Sequence, residues 1–111
     1  WNINLGNQNV WELDIFSLDS FINLNDIKLQ PSKLSGTGEI YLGSNLEIEK
    51  LSLSGNYEVT VSKDLSILVK GQATVPNQWL DASVGKLNYP DKTYTVIIEI
   101  IDGSQVIFRN G

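Results

Sequence analysis

The sequence predicts an all-β domain of stacked short antiparallel strands, arranged as a solenoidal sandwich with no substantial helix, and three observations carry that reading. A nine-residue phrase, Leu34-Ser35-Gly36-Thr37-Gly38-Glu39-Ile40-Tyr41-Leu42, returns 19 residues later as Leu53-Ser54-Gly55-Asn56-Tyr57-Glu58-Val59-Thr60-Val61. Repetition of one small unit at such a period marks stacked β rungs. Apolar and polar residues alternate at a period of two through most of the chain, as half-buried strands require. Turn residues separate these runs at short intervals, as at Gly6-Asn7, Pro31-Ser32, Gly43-Ser44-Asn45 and Asp102-Gly103-Ser104.

The elements follow in order. Trp11, Leu13 and Ile15 alternate in a first core strand. Between Leu18 and Leu29 the pattern is ambiguous, because Leu18, Phe21, Ile22 and Leu24 fit one helical turn capped by Asp19 or Ser20. Strands are preferred there, since Ile22 and Leu24, then Ile27 and Leu29, resume the alternation across Asn25-Asp26. Ile40 with Leu42, Leu51 with Leu53, Tyr57 with Val59 and Val61, and Leu65 with Ile67 and Val69 continue it. The stretch from Val75 to Tyr94 breaks the alternation and contains Pro76 and Pro90, so it is expected to be a connection or hairpin excursion. Tyr94, Val96, Ile98 and Ile100, then Val106 and Phe108, supply the last two strands.

The chain is one domain, 1–111, with clear repeat copies at 34–42 and 53–61 and weaker ones at 69–75 and 101–108. Each copy carries a glycine, at Gly36, Gly55, Gly71 and Gly103, expected to mark a corner where positive φ is needed. If the repeat is structural, Gly36 and Gly55 occupy equivalent corners on adjacent rungs. An elongated stack is expected, with Lys33, Glu39, Glu47, Glu49, Lys50, Glu58, Lys63 and Lys70 outside, where opposite charges on neighbouring rungs pair. Tyr57 is in phase with Val59 and should face inward, whereas Tyr41 is out of phase with Ile40 and Leu42 and should face solvent.

Composition narrows the functions. The 111 residues carry a formal charge of −5, and the eight basic residues are scattered, so nucleic acid is an unfavourable partner. No His and no Cys are present, which removes the Ser-His-Asp and Cys-His arrangements and leaves only carboxylates to hold zinc. The longest apolar cluster, Val96 to Ile101, falls far short of the roughly 20 residues that span a bilayer. The chain begins at Trp1 and has no Met, so any membrane attachment is expected through segments outside it.

The order Trp-x-Ile-x-Leu at Trp1 to Leu5, then Trp11-Glu12-Leu13-Asp14-Ile15, Ser35-Gly36-Thr37-Gly38-Glu39-Ile40 and the closing stretch Ile98 to Ile107 resembles the bacterial toast-rack or adhesin-like β-repeat domains. Two departures are Tyr57, where that pattern places Gly, and the third copy, which lacks the acidic residue. The resemblance implies a toast-rack-like fold in an extracellular or cell-envelope setting, as in the extracytoplasmic parts of Lia-type envelope-stress proteins.

No catalytic constellation stands out. Glu12 with Asp14 and Glu47 with Glu49 are same-face pairs that strand alternation already explains. Gly36-Thr37-Gly38 lacks the third Gly and the following helix of a dinucleotide site. Neither an EF-hand loop nor a glycine-rich calcium nonapeptide is present, so no metal or cofactor is expected. Aromatics are the one class with a binding role. Trp11, Tyr41, Trp79 and Tyr89 are the candidate ligand-binding residues, because aromatic faces stack on sugar rings while Asn and Asp bond the hydroxyls. The expected function is a non-enzymatic interaction or sensing module of a bacterial envelope protein. Its alternatives are a carbohydrate-binding module for an envelope polysaccharide and a surface adhesin that self-associates through edge strands.

Overall fold

A computed structural model describes residues 2–4, 8–11, 14–25, 27–77, 79–82, 85–88 and 96–110. The described part holds strands and turns with no helix. Alternation makes the strands, and the 19-residue period stacks them. The long strands β3 (Asp14–Leu24), β5 (Ser32–Leu42) and β7 (Lys50–Val61) lie side by side, each the same part of successive coils. Short strands β2 (Gln8–Trp11), β4 (Ile27–Leu29) and β6 (Glu47–Ile48) form a second, three-stranded sheet from the remaining part of each coil. Strands thus replace the helical turn that Leu18 to Leu24 also fits.

The rungs pair in parallel, not antiparallel. Every partner in the β5–β7 ladder is offset by 19, including Leu34 with Leu53, Gly36 with Gly55 and Ile40 with Val59. The β3–β5 ladder keeps that offset from Asp14 to Ser17 and slips by one before Ser20. Parallel pairing follows from the repeat itself, since a unit that recurs in the same residue order is copied by translation. A hairpin would reverse that order, and each coil here instead returns through its short strand. Alternation alone has the same period in both arrangements.

Like residues therefore stack on like. Ile22, Ile40, Val59 and Phe108 form one buried ladder, and Leu24, Leu42 and Val61 another. Burying each such aliphatic side chain contributes about 1.5–3 kcal/mol. Leu46 and Ile48 fold back into the same cluster, so the coil closes around its own core. Tyr57 faces inward, 2% exposed, on a ladder whose neighbours Gly38 and Ser20 are small.

Gly36 and Gly55 do occupy equivalent corners, at φ of 117° and 120°. A Cβ on Gly55 would collide with the Gly36 carbonyl oxygen, so this corner excludes other residues on both grounds. The first rung has no glycine there. Asp19 takes the positive φ, 49°, and its N–H donates to Thr37 Oγ1 at 3.0 Å. Asp accepts this conformation more readily than most residues.

After β7 the order changes. Strand β8 (Ile67–Lys70) lies one place too far along, and β11 (Val96–Ile100) fills the gap, parallel to both β7 and β8. β12 (Gln105–Asn110) then runs parallel to the second half of β7. Gly71 and Gly103 also have positive φ, but neither stands in register with Gly55. Two extra residues separate Ile100 from Gln105 relative to Leu53 and Asn56, and Ser104 Oγ accepts the Gly55 N–H at 3.0 Å across that wider turn.

The far end is closed by β10 (Gly85–Leu87), antiparallel to β8, and β9 (Leu80–Ala82), antiparallel to β10. Buried Asn88 secures this end by accepting from Ile67 N at 2.8 Å and donating to Leu65 O at 2.7 Å. On the other side of the sheet β1 (Asn2–Asn4) runs parallel to Phe21–Asn23. The molecule measures 32 × 28 × 22 Å, so it is squat and not elongated: eight strands at about 4.8 Å spacing account for the long dimension.

Candidate functional site

Alternation places β3 side chains as it does those of later rungs, with Ile22 and Leu24 inward and Asp14, Phe16 and Phe21 outward. On the next rungs the outward positions are polar: Ser35 and Ser54 follow Phe16, and Glu39 and Glu58 follow Phe21. Among the described residues, β3 puts three large apolar groups outside, and β12 adds Ile107, which pairs with Glu58 on the ladder of Phe21. Phe16 is 73% exposed, Leu18 61% and Phe21 39%. Leu18 belongs to the corner where the register slips, which turns it outward as well.

Beside this strip lies a shallow hollow of about 450 Å³, lined among others by Asp19, Phe21, Thr37, Glu39 and Asn56. Its chemistry is one aromatic ring flanked by carboxylates, an amide and a hydroxyl. At its rim Glu58 accepts from Arg109 at 2.7 Å. A second hollow, of about 420 Å³, lies between Gln72–Thr74 and Ser104–Ile107, next to half-exposed Ile107. Among the described residues no three His, Cys, Asp or Glu side chains gather in a way that could hold a metal ion. Among the described residues no helix is long and apolar enough to cross a membrane.

The candidate aromatics do not share a platform. Trp79 is a core residue, 4% exposed, with Nε1 donating to Asn110 Oδ1 at 2.9 Å and its ring 5.6 Å from that of Phe108. A ring so covered cannot stack on a ligand, and Trp79 is corrected to a structural role. Tyr41 lies on the outer face, between Asn23 and Thr60 in the ladder, but half-buried and not fully in solvent. Trp11 belongs to β2, with its backbone paired to Leu29, and its side chain lies outside what is described. Tyr89 lies outside the described residues altogether. The excursion after Val75, expected to be a connection or hairpin, supplies the antiparallel β9–β10 pair that covers β8.

The outer-face charges fall as expected. Lys28–Glu47 at 4.0 Å, Lys50–Glu99 at 3.0 Å and Arg109–Glu58 at 2.7 Å link neighbouring rungs. All three pairs are solvated and contribute a few tenths of a kcal/mol each. Phe16 and Phe21 were missed as candidates although a signal existed: both are out of phase with inward Ile15 and Ile22.

The fold and this surface define a class, a β-stack of parallel rungs whose β8 side is covered by an antiparallel strand pair. No family model matches the chain, and no curated protein or solved structure is significantly similar to it.

Proposed function

We propose that this domain is a non-catalytic interaction module of a bacterial cell-envelope protein and that it holds a protein partner. One observation carries the reading: Phe16, Leu18 and Phe21 all stand exposed on β3, whereas the next two rungs place Ser35 and Ser54 beside Phe16 and Glu39 and Glu58 beside Phe21. Exposed apolar groups gathered on a rigid frame are a usual sign of a binding surface. The envelope setting rests on the likeness of the repeated phrases to toast-rack and adhesin-like domains. A photo-crosslinking residue at Phe16, introduced in cells that make the whole protein, should label one discrete partner. The same residue at exposed Asp102 should not; equal labelling from both positions, or none at Phe16, overturns the reading.

A second reading, a carbohydrate-binding module, is favoured by the hollow around Phe21. That ring would stack on a sugar while Asn56, Thr37 and Glu39 bond its hydroxyls. Envelope polysaccharide fragments should then perturb the Phe21 and Asn56 amide resonances, and a Phe21→Ala variant should lose the response.

A further inference from the structure

We propose that the Asp102–Gly103 linkage is a site of covalent self-modification, at which the aspartate side chain closes onto the main chain and reopens as an isoaspartyl linkage, and that this change loosens the Gly55 corner. The inference is independent of the interaction reading and needs no partner. In the turn between β11 and β12 the Ser104 N–H donates to the Ile101 carbonyl at 3.1 Å, and Gly103 takes a φ of 86°. Positive φ at the third position of a four-residue turn is what glycine supplies there. Asp102 and Gly103 are both exposed. Asp102 is also the one aspartate in the sequence that a glycine follows.

The second observation is what does not hold this linkage. Among the described residues, the Gly103 N–H donates to no acceptor, and no ion pair or hydrogen bond engages the Asp102 carboxylate. The peptide plane between the two residues can therefore rotate while the Ile101–Ser104 bond stays closed. A Cβ built on Gly103 would meet nothing within 4 Å, so packing does not restrain it either. Glycine also leaves its own nitrogen unshielded, having no side chain beside it. Exposed Asp64 is the contrast: the next residue, Leu65, is buried, and its N–H is committed to the Ser62 carbonyl at 3.0 Å.

The chemistry uses only the chain and water. The Gly103 backbone nitrogen attacks Cγ of the protonated Asp102 carboxyl. A C–N bond forms, the Cγ–OH bond breaks, and the hydroxyl leaves with the amide proton as one water, giving a succinimide ring. Water then adds to one of the two ring carbonyls. Opening at Cγ restores aspartate; opening at the main-chain carbonyl leaves that carbon as the free carboxylate and routes the chain through Cβ and Cγ. The isoaspartyl product thus has one more methylene in its main chain, inside the turn. The residue after that linkage is Ser104, whose Oγ accepts the Gly55 N–H at 3.0 Å. Lengthening the turn displaces Ser104, and Gly55, stacked on Gly36, loses its acceptor.

The test is to incubate the folded domain in water enriched in heavy oxygen, digest it in ordinary water and weigh the peptides. The tryptic peptide ending at Arg109 should gain one heavy oxygen, located at Asp102, at least about tenfold faster than the peptide containing Asp64 gains its own. Part of the product should resist a protease that cuts before aspartate, which identifies the isoaspartyl form. A synthetic peptide of residues 99–107 gives the unrestrained rate, and the folded domain should stay within about tenfold of it. Gly103→Ala should slow the uptake by about tenfold or more. The separated isoaspartyl form should exchange its Gly55 amide hydrogen faster than the unmodified domain does, with Val59 unchanged. Uptake at Asp102 no faster than at Asp64, a folded domain slower than the peptide by more than that margin, or undiminished uptake in Gly103→Ala overturns the modification site. Unchanged exchange at Gly55 in the isoaspartyl form overturns its link to the corner.

Discussion

From Asp14 to Val61 the chain lays down its rungs in the order of the sequence, each long strand beside the one before it. From Ser62 onward it does not: β8 comes first in sequence, β11 then lies between β8 and β7, and β12 pairs with the second half of β7. The first region is a local device, in which equal spacing brings like residues into register and each coil needs only its predecessor. The second is a global closure, in which the last strands in sequence become central in the sheet. A nearest-neighbour stack gains stability rung by rung, whereas an inserted strand adds two interfaces at once. Because the gap stays open until the chain end arrives, stability of the whole depends on residues 96–110 more than on the first rung.

Truncation tests this contrast most strongly. A chain ending at Thr95 should lose its cooperative unfolding transition, because Leu51, Leu53, Val59 and Val69 all lose ladder neighbours. A chain lacking residues 1–4 removes only β1 and should stay folded, within about 2 kcal/mol of the parent in urea titrations. Comparable losses from the two truncations would erase the distinction.

The corners come next. Gly55→Ala combines positive φ with a collision against the Gly36 carbonyl and should cost about 3 kcal/mol or more. Gly103→Ala has positive φ but open space around it, so about 1 kcal/mol is expected. Denaturant midpoints of the two variants measure whether the register or the conformation alone sets the penalty.

Smaller again is the closure at Asn88. Asn88→Leu leaves the Ile67 N–H and Leu65 carbonyl without their side-chain partner in a buried place, at a cost of about 2 kcal/mol. Faster hydrogen exchange at Ile67 is the local readout. The least effect belongs to the surface charges: Arg109→Gln removes an exposed partner of Glu58 and should change stability by less than about 1 kcal/mol, and by less still in high salt.

The legibility of the sequence follows the same division. The equivalence of Gly36 and Gly55, the inward Tyr57 and the outward charges could all be read, because each depends on spacing within one coil or between two successive copies. Strand direction was misread from alternation, which has no direction; the conserved order within the repeated phrase was the better guide. The first rung's corner escaped notice because Asp19 does there what glycine does elsewhere. Trp79 was equally illegible as a core residue, since its partners Phe108 and Asn110 come from the inserted final strand. At the candidate site, the phase of Phe16 and Phe21 was visible in the sequence. That polar Ser35 and Glu39 of the next rung stand beside them and leave both rings exposed was not.

By itself, then, the sequence determined an all-β chain with a 19-residue rung, glycine corners and an apolar interior, because alternation and spacing act between near neighbours. Tertiary structure decided which strand lies beside which after Val61, which end is closed and which apolar residues remain outside. Those outcomes depend on competition for strand edges among segments far apart in the chain. Periodicity in one segment cannot rank its rivals for the same edge.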